Sequence, residues 1–162
     1  MVDTASLRER ALAALDAVVD PEIPVLTIAD LGILRDVAER DGTVEITITP
    51  TYSGCPAMNV IALDIETALA RAGIEARIRT QLSPAWTTDW LSDAARAKLA
   101  AFGIAPPAHL ASRRALFGET RPTCPRCGSA DTEQISEFGS TPCKSLHRCR
   151  ACREPFDAFK CH

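Results

Sequence analysis

Residues 123–162 read TCPRCGSADTEQISEFGSTPCKSLHRCRACREPFDAFKCH, with Cys124 and Cys127 in one C-x-x-C turn and Cys149 and Cys152 in a second. Each such turn aims two sulfurs at a point about 2.3 Å away, so the two turns together supply the four thiolates of a tetrahedral site. Soft thiolates select zinc or iron over magnesium or calcium. A closed structural zinc site is the simplest reading, and spacing alone leaves open a rubredoxin-like iron or an iron–sulfur cluster. Between and after the turns the order is knuckle, strand, turn at Gly139, strand, knuckle, strand, the layout of a zinc ribbon. About 40 residues bury too little surface to fold unaided, and a metal supplies the missing stability.

The chain has seven cysteines, so three remain after the ribbon ligands: Cys55, Cys143 and Cys161. If the second knuckle joins two antiparallel strands, partners across that ladder have numbers summing to about 303, which sets Cys143 against Cys161. Two half-buried thiols, a disulfide formed on oxidation, or a second pair of sulfur ligands all fit that pairing. His147 and His162 stand nearby in sequence and are read as bystanders. Cys55 lies in TYSGCP, at the start of an expected helix, where the positive end of the helix dipole is expected to lower its pKa and raise its reactivity. Gly54 beside it offers room for a ligand or a partner's backbone.

Upstream of the ribbon the apolar periodicity predicts helix, strand, strand, helix, strand, helix. The first helix is expected over residues 6–19 and ends at Asp20-Pro21. A two-proline loop, PEIPVLTIADLG, follows; Asp20, Glu22 and Asp30 are the acids around it, weak as a catalytic pair and suited to capping turns. Strands are expected at 33–38 and 43–49 around Asp41-Gly42, with Val44, Ile46 and Ile48 on one face. A helix then starts at Pro56 and stops at Gly73, a strand covers 74–82, and a helix covers 86–102. This is an α+β fold, a small three-stranded sheet with helices on one face, followed by a small β-rich ribbon. The expected domains are 1–103 and 123–162, with Pro106, Pro107, Gly118 and Pro122 marking 104–122 as a linker.

Composition narrows the function. Residues 121–162 carry seven Lys/Arg and five Asp/Glu, and residues 1–120 carry eleven and sixteen. The ribbon is mildly basic and its four thiolates on a divalent metal offset that charge, so neither part presents the basic face that nucleic-acid binding needs. The N-terminal stretch lacks the apolar core of a signal peptide, and no apolar run is long enough to span a bilayer. With seven cysteines and no secretory signal, a reducing, cytoplasmic setting is expected. There is no phosphate-cradling glycine loop, no G-x-S-x-G, and no His near Cys55 in sequence.

Three motifs in order, DPEIP at 20–24, IADLGIL at 28–34 and TPTYSGCP at 49–56, resemble the domain shared by SufT-like proteins and cytosolic iron–sulfur targeting factors, over about residues 6–103. With SPAWTTDWLS at 83–92 and the ribbon, the whole chain resembles the PaaD family, accessory components encoded with bacterial phenylacetyl-CoA 1,2-epoxidase. The resemblance implies a non-catalytic role in maturing or delivering iron–sulfur clusters, with Cys55 as the reactive thiol and transient iron or a cluster as cargo. It further implies the epoxidase reductase component, which carries a [2Fe-2S] centre, as the client, and the oxygenase components as further partners. A docking subunit without chemistry, or a thiol–disulfide protein using Cys143 and Cys161, are the alternatives. The chain has no di-iron Glu-x-x-His helices, flavin fold or coenzyme A site with which to perform epoxidation itself.

Overall fold

The hairpin in residues 34–48 sets the frame of the first half of the chain. In β2 (Thr43–Ile48) the alternating Val44, Ile46 and Ile48 are each 1% exposed or less, and Thr47 on the other face is buried too. Burial on both faces marks a central strand. β1 (Leu34–Arg40) runs antiparallel to it and β3 (Ala76–Thr80) parallel, giving the sheet order β1-β2-β3. The connecting residues Asp41 and Gly42 have φ of 51° and 75°, the two positive values that match a tight turn to the right-handed strand twist. The computed structural model describes residues 5–109 and 121–160.

A parallel pair needs a crossover, and α2 (Ala57–Arg71) provides it. Its Ile61, Ile65 and Leu69 recur every fourth residue and are fully buried. α1 (Leu7–Leu15) packs beside it, opened by Ser6, whose hydroxyl accepts from the Glu9 N–H while Glu9 returns a bond to the Ser6 N–H. α1 is shorter than the expected 6–19. Val19 leaves it to pair with Thr27 in an isolated bridge, as suits a β-branched residue at the entry to an extended loop. The two-proline loop is core rather than covering: Ile23, Leu26, Ile28, Leu31 and Ile33 are 2% exposed or less. Trp86, also buried, donates its indole N–H to the Leu31 carbonyl at 2.8 Å.

The chain divides into two compact units, Met1–Trp86 and Thr87–His162. The stretch expected as one helix over 86–102 is a 3₁₀ turn, Thr88–Trp90, followed by α3 (Asp93–Phe102). Extended backbone at Leu91 and Ser92 separates them, and the Ser92 hydroxyl caps α3 by accepting from the Ala95 N–H. α3 falls in the second unit, so the boundary lies ahead of it, whereas the sequence reading places the boundary after residue 103. The expected linker also opens with structure: β4 (Ile104–Ala105) pairs in parallel with β7 (Pro155–Phe159). The buried Arg96 guanidinium donates to the carbonyls of Thr88 and Pro107, tying the segments on either side of α3 together.

β5 (Thr132–Ser136) and β6 (Lys144–Cys149) complete a four-stranded sheet of order β4-β7-β6-β5. The ribbon strands and the turn around Gly139 stand where the sequence reading has them. Ala105, Cys124, Cys149, Phe156 and Ala158 form this unit's apolar cluster, so two of its five members are thiols of the paired knuckles. Among the described residues no helix is long and apolar enough to cross a membrane.

Candidate functional site

Each knuckle is a tight turn held by its own backbone. Cys124 accepts from the Gly128 N–H at 2.9 Å and donates its N–H to Ser129, while Cys149 donates to Glu154 at 3.0 Å and receives the Cys152 N–H on its sulfur at 3.5 Å. In both turns the residue after the second cysteine has left-handed backbone, Gly128 at φ 75° and Arg153 at φ 67°. Glycine takes that conformation freely; arginine does so at a cost.

The turns bring the four sulfurs within 4.8 Å of one another, with Cys124 to Cys152 at 3.8 Å and Cys127 to Cys149 at 3.5 Å. A regular tetrahedron of 2.3 Å metal–sulfur bonds has edges of about 3.8 Å. The donor set therefore fits a four-coordinate metal. Cys124 and Cys149 are buried and Cys127 and Cys152 exposed, so the site sits at the end of the ribbon core with one side toward solvent. The Cys152 N–H, together with the neighbouring thiol of Cys127, draws the Cys149 thiol down to about 7 despite its burial. Against the lowering pull of the Glu154 N–H, desolvation and the surrounding thiols push Cys152 up to about 12. Beside the knuckles, Glu133 accepts from both Arg148 and Arg150, and those bonds hold its carboxyl below the usual range.

Cys55 belongs to the other unit. It is half-buried in the loop between β2 and α2, donating its N–H to Tyr52 at 3.1 Å, one residue before the αR Pro56 that starts α2. The expectation of a lowered pKa is reversed. Burial is the largest influence and raises it; the Ala57 N–H at the helix start works the other way, and the carboxylates of Glu22 and Asp20 add to the rise. The helix end is felt, but one N–H does not outweigh desolvation and two negative charges. Asp20 is itself occupied, accepting from the N–H groups of Glu22 and Ile23 at 2.8 Å each. Asp30 and Thr27 bond each other's backbone N–H groups at 3.0 Å. Both acids thus shape the loop that brings Glu22 and Asp20 toward the thiol. A Cβ at Gly54 would stand 3.5 Å from the Tyr52 ring, an ordinary van der Waals contact.

The β6–β7 ladder pairs Lys144 with Phe159 and Ser145 with Ala158, a constant sum of 303, as the sequence arithmetic requires. Cys143 is buried and its carbonyl accepts from the Lys160 N–H at 3.0 Å, so the ladder sets it opposite Lys160. Cys161 and His162 lie outside the described residues. His147, read in sequence as a bystander, is 6% exposed, stacks on Phe156 and shares a 2.9 Å hydrogen bond between Nε2 and the Ser145 hydroxyl. Its position was available in the alternation Cys143, Ser145, His147, Cys149, which places it on the face of the buried ligand.

A model of an iron–sulfur cluster assembly protein matches residues 8–79, and a model of the PaaD zinc β-ribbon domain matches residues 109–160. An Escherichia coli (strain K12) protein, named as one of the subunits of a "Putative 1,2-phenylacetyl-CoA epoxidase", is 51% identical over 150 residues, 92% of this chain and 90% of that one. The Fe-S protein maturation auxiliary factor YitW of Bacillus subtilis (strain 168) is 36% identical over 97 residues, 58% of this chain and 94% of its own. Among solved structures, a domain of unknown function from Bacillus anthracis superposes with a TM-score of 0.53 at 30% identity, covering 57% of this chain and 91% of that one. An assembly-type α+β unit followed by a four-thiol ribbon, matched along nine-tenths of a relative's length, identifies this chain as a member of the PaaD family.

Proposed function

We propose that this chain is an accessory maturation factor of a multicomponent phenylacetyl-CoA epoxidase, in which Cys55 helps hand an iron–sulfur cluster to the reductase component while the four ribbon thiolates hold zinc permanently. One observation carries the reading. The match to iron–sulfur assembly proteins, residues 8–79, contains Cys55 and none of the ribbon cysteines. The two sulfur sites are thereby divided between a unit related to maturation factors and a unit built as a closed metal clip.

The chemistry of Cys55 supports transfer over storage. Metal binding to a thiol displaces its proton, so a thiol that burial and two carboxylates keep protonated holds metal more weakly at a given pH. A weak ligand suits cargo that must leave. The ribbon offers the opposite: four thiols converge within 4.8 Å of one another, so a bound ion is held by all of them at once.

In Cys55→Ser, zinc content is expected to equal wild type while cluster occupancy of the reductase in cells falls. Normal reductase occupancy in that variant would show that Cys55 is not the transfer group. A docking role without transfer has its own support, because Val60 and Leu63 on the exposed face of α2, shortly after Cys55, are 45% and 61% exposed. Docking alone predicts full epoxidase activity in Cys55→Ser and loss of complex formation in Leu63→Glu.

A further inference from the structure

Two sheets have four edges, and three of them are closed to further pairing. β1 carries a bulge between Leu34 and Asp36, and both outward backbone groups of Val37 are taken. Its N–H donates to the Asp36 carboxylate at 2.9 Å and its carbonyl accepts from Arg8 Nε at 2.8 Å. β5 is broken by a bulge between Gln134 and Ser136, and β4 is two residues long. Bulges, short strands and occupied backbone groups all keep a sheet from accepting another strand.

β3 has none of these. Its register with β2 runs unbroken from Val44–Ala76 to Ile48–Thr80, and it contains no proline. At the two ends of that ladder the Val44 N–H donates to the Glu75 carbonyl and the Gln81 N–H to the Ile48 carbonyl. Odd-numbered residues therefore turn their backbone groups toward β2, and Ala76, Ile78 and Thr80 turn theirs outward. Those outward N–H and C=O groups have no partner among the described residues.

The side chains of the edge alternate as well. Ile78 stands opposite Ile46, on the face of the buried row Val44, Ile46 and Ile48, and is half-buried, while Arg77 and Arg79 on the other face are exposed. Neither arginine forms an ion pair among the described residues. Glu45, across from Arg77, is 3.9 Å from Arg40; Arg79 stands across from Thr47 and donates to Gln81 at 3.2 Å. The strand itself holds these two positive charges and no acid, and Glu75 just ahead of it flanks Arg77 only.

Charge decides what the edge accepts. Two copies meeting antiparallel along the whole strand pair Ile78 with Ile78 and set Arg77 opposite Arg79 twice, and like charges directly opposed oppose pairing. A segment with carboxylates at those positions reverses the sign, and a guanidinium binds a carboxylate through two parallel N–H donors. On the other face the same segment meets Ile78, which calls for apolar residues at the alternate positions.

We propose that β3 takes an extended segment of a partner protein as a fourth strand, with Asp or Glu facing Arg77 and Arg79 and apolar side chains beside Ile78. The test is a titration of the full, zinc-loaded chain followed by heteronuclear NMR and amide hydrogen exchange. The probes are two end-blocked peptides, one alternating valine with glutamate and one alternating valine with lysine. The glutamate peptide is expected to give saturable shifts at the amides of Ala76, Ile78 and Thr80 and to slow their exchange, with the lysine peptide roughly tenfold weaker or more. Arg77→Glu combined with Arg79→Glu, both at exposed positions, should reverse that preference. Thr80→Pro removes one outward N–H and leaves the ladder to β2 whole, and should weaken the glutamate peptide about tenfold. Equal binding of the two peptides, a preference unmoved by charge reversal, or no saturable shift along β3 would each overturn the assignment. So would protection of the same three amides that grows with protein concentration in the absence of peptide, since a second copy would then hold the edge.

Discussion

Replacing Gly139 by alanine tests how the ribbon turn is held. A Cβ at Gly139 would overlap Asp157 Oδ1, lie 3.2 Å from its Cγ and stand 3.3 Å from Lys144 Cβ. The backbone cannot yield easily, because the Gly139 N–H is bonded to the Lys144 carbonyl at 2.7 Å and the Lys144 N–H to Thr141 at 3.0 Å. Asp157 must therefore turn away. It then gives up the Ser140 hydroxyl at 2.6 Å and its place 3.9 Å from the ammonium of Lys144, whose side chain is 5% exposed. A charge-assisted hydrogen bond contributes about 1.5–3 kcal/mol, and stripping a buried charge of its partner costs about 3–5 kcal/mol. Asp157 is 19% exposed and stays tethered nearby, so only part of the second cost applies, and about 2–4 kcal/mol is expected in all. Because ribbon folding and metal binding are coupled, this appears as zinc affinity weakened about 30-fold to 900-fold, measured by competition with a chromophoric chelator. In an Asp157→Ala background the overlap is gone and only the 3.3 Å approach to Lys144 Cβ remains, so adding Gly139→Ala should cost less. Zinc affinity within threefold of wild type in the single variant, or an equal penalty in both backgrounds, would refute the steric argument.

The left-handed residues after each knuckle give a matched pair of substitutions. At Gly128 a Cβ would meet nothing within 4 Å, so Gly128→Ala isolates backbone strain and should destabilise the metal-bound ribbon by about 1 kcal/mol, whereas Arg153→Gly should stabilise it by a similar amount, both read by zinc competition. For Cys55, the pH midpoint of iodoacetamide alkylation, followed by mass spectrometry at that residue, should lie above that of an ordinary thiol. Glu22→Gln removes a negative charge that opposes thiolate formation, so it should move the midpoint down and speed alkylation at pH 8; an upward movement would contradict the placement of Glu22.

What the residues disclosed in advance follows from the range of the forces involved. The paired knuckles were legible because metal–sulfur geometry constrains neighbours in sequence, and the β6–β7 register followed because an antiparallel ladder obeys simple arithmetic. β4 was not legible: two residues, Ile104 and Ala105, show no period, and Pro106-Pro107 directly afterwards resembles linker. The loop at 20–33 hid its role in a similar way. Its prolines signal a turn, yet its apolar residues fill the core without following a helical or strand repeat. The break before α3 had a local signal, Ser92 as a cap, which the longer run of apolar residues from Trp86 to Phe102 obscured. Cys55 shows the limit most clearly. Its place at a helix start was readable and argued for a low pKa, but desolvation and the approach of Asp20 and Glu22 depend on how the chain folds back.

That reversal bears on why one chain keeps two kinds of sulfur. Four convergent thiols, two of them in the core of a small sheet, make metal release inseparable from unfolding, since Cys124 and Cys149 are part of what holds the second unit together. Such a site is ill suited to giving metal away. Cys55 makes no comparable contribution to the core of its unit: it is half-buried on a loop, whereas Leu26, Ile46, Ile61 and Ile65 are fully buried. Its thiol is therefore not part of what holds the first unit together. Coupling of metal to stability therefore sorts the cysteines where thiol acidity does not, because the ribbon alone spans a thiol drawn down to about 7 and one pushed up to about 12.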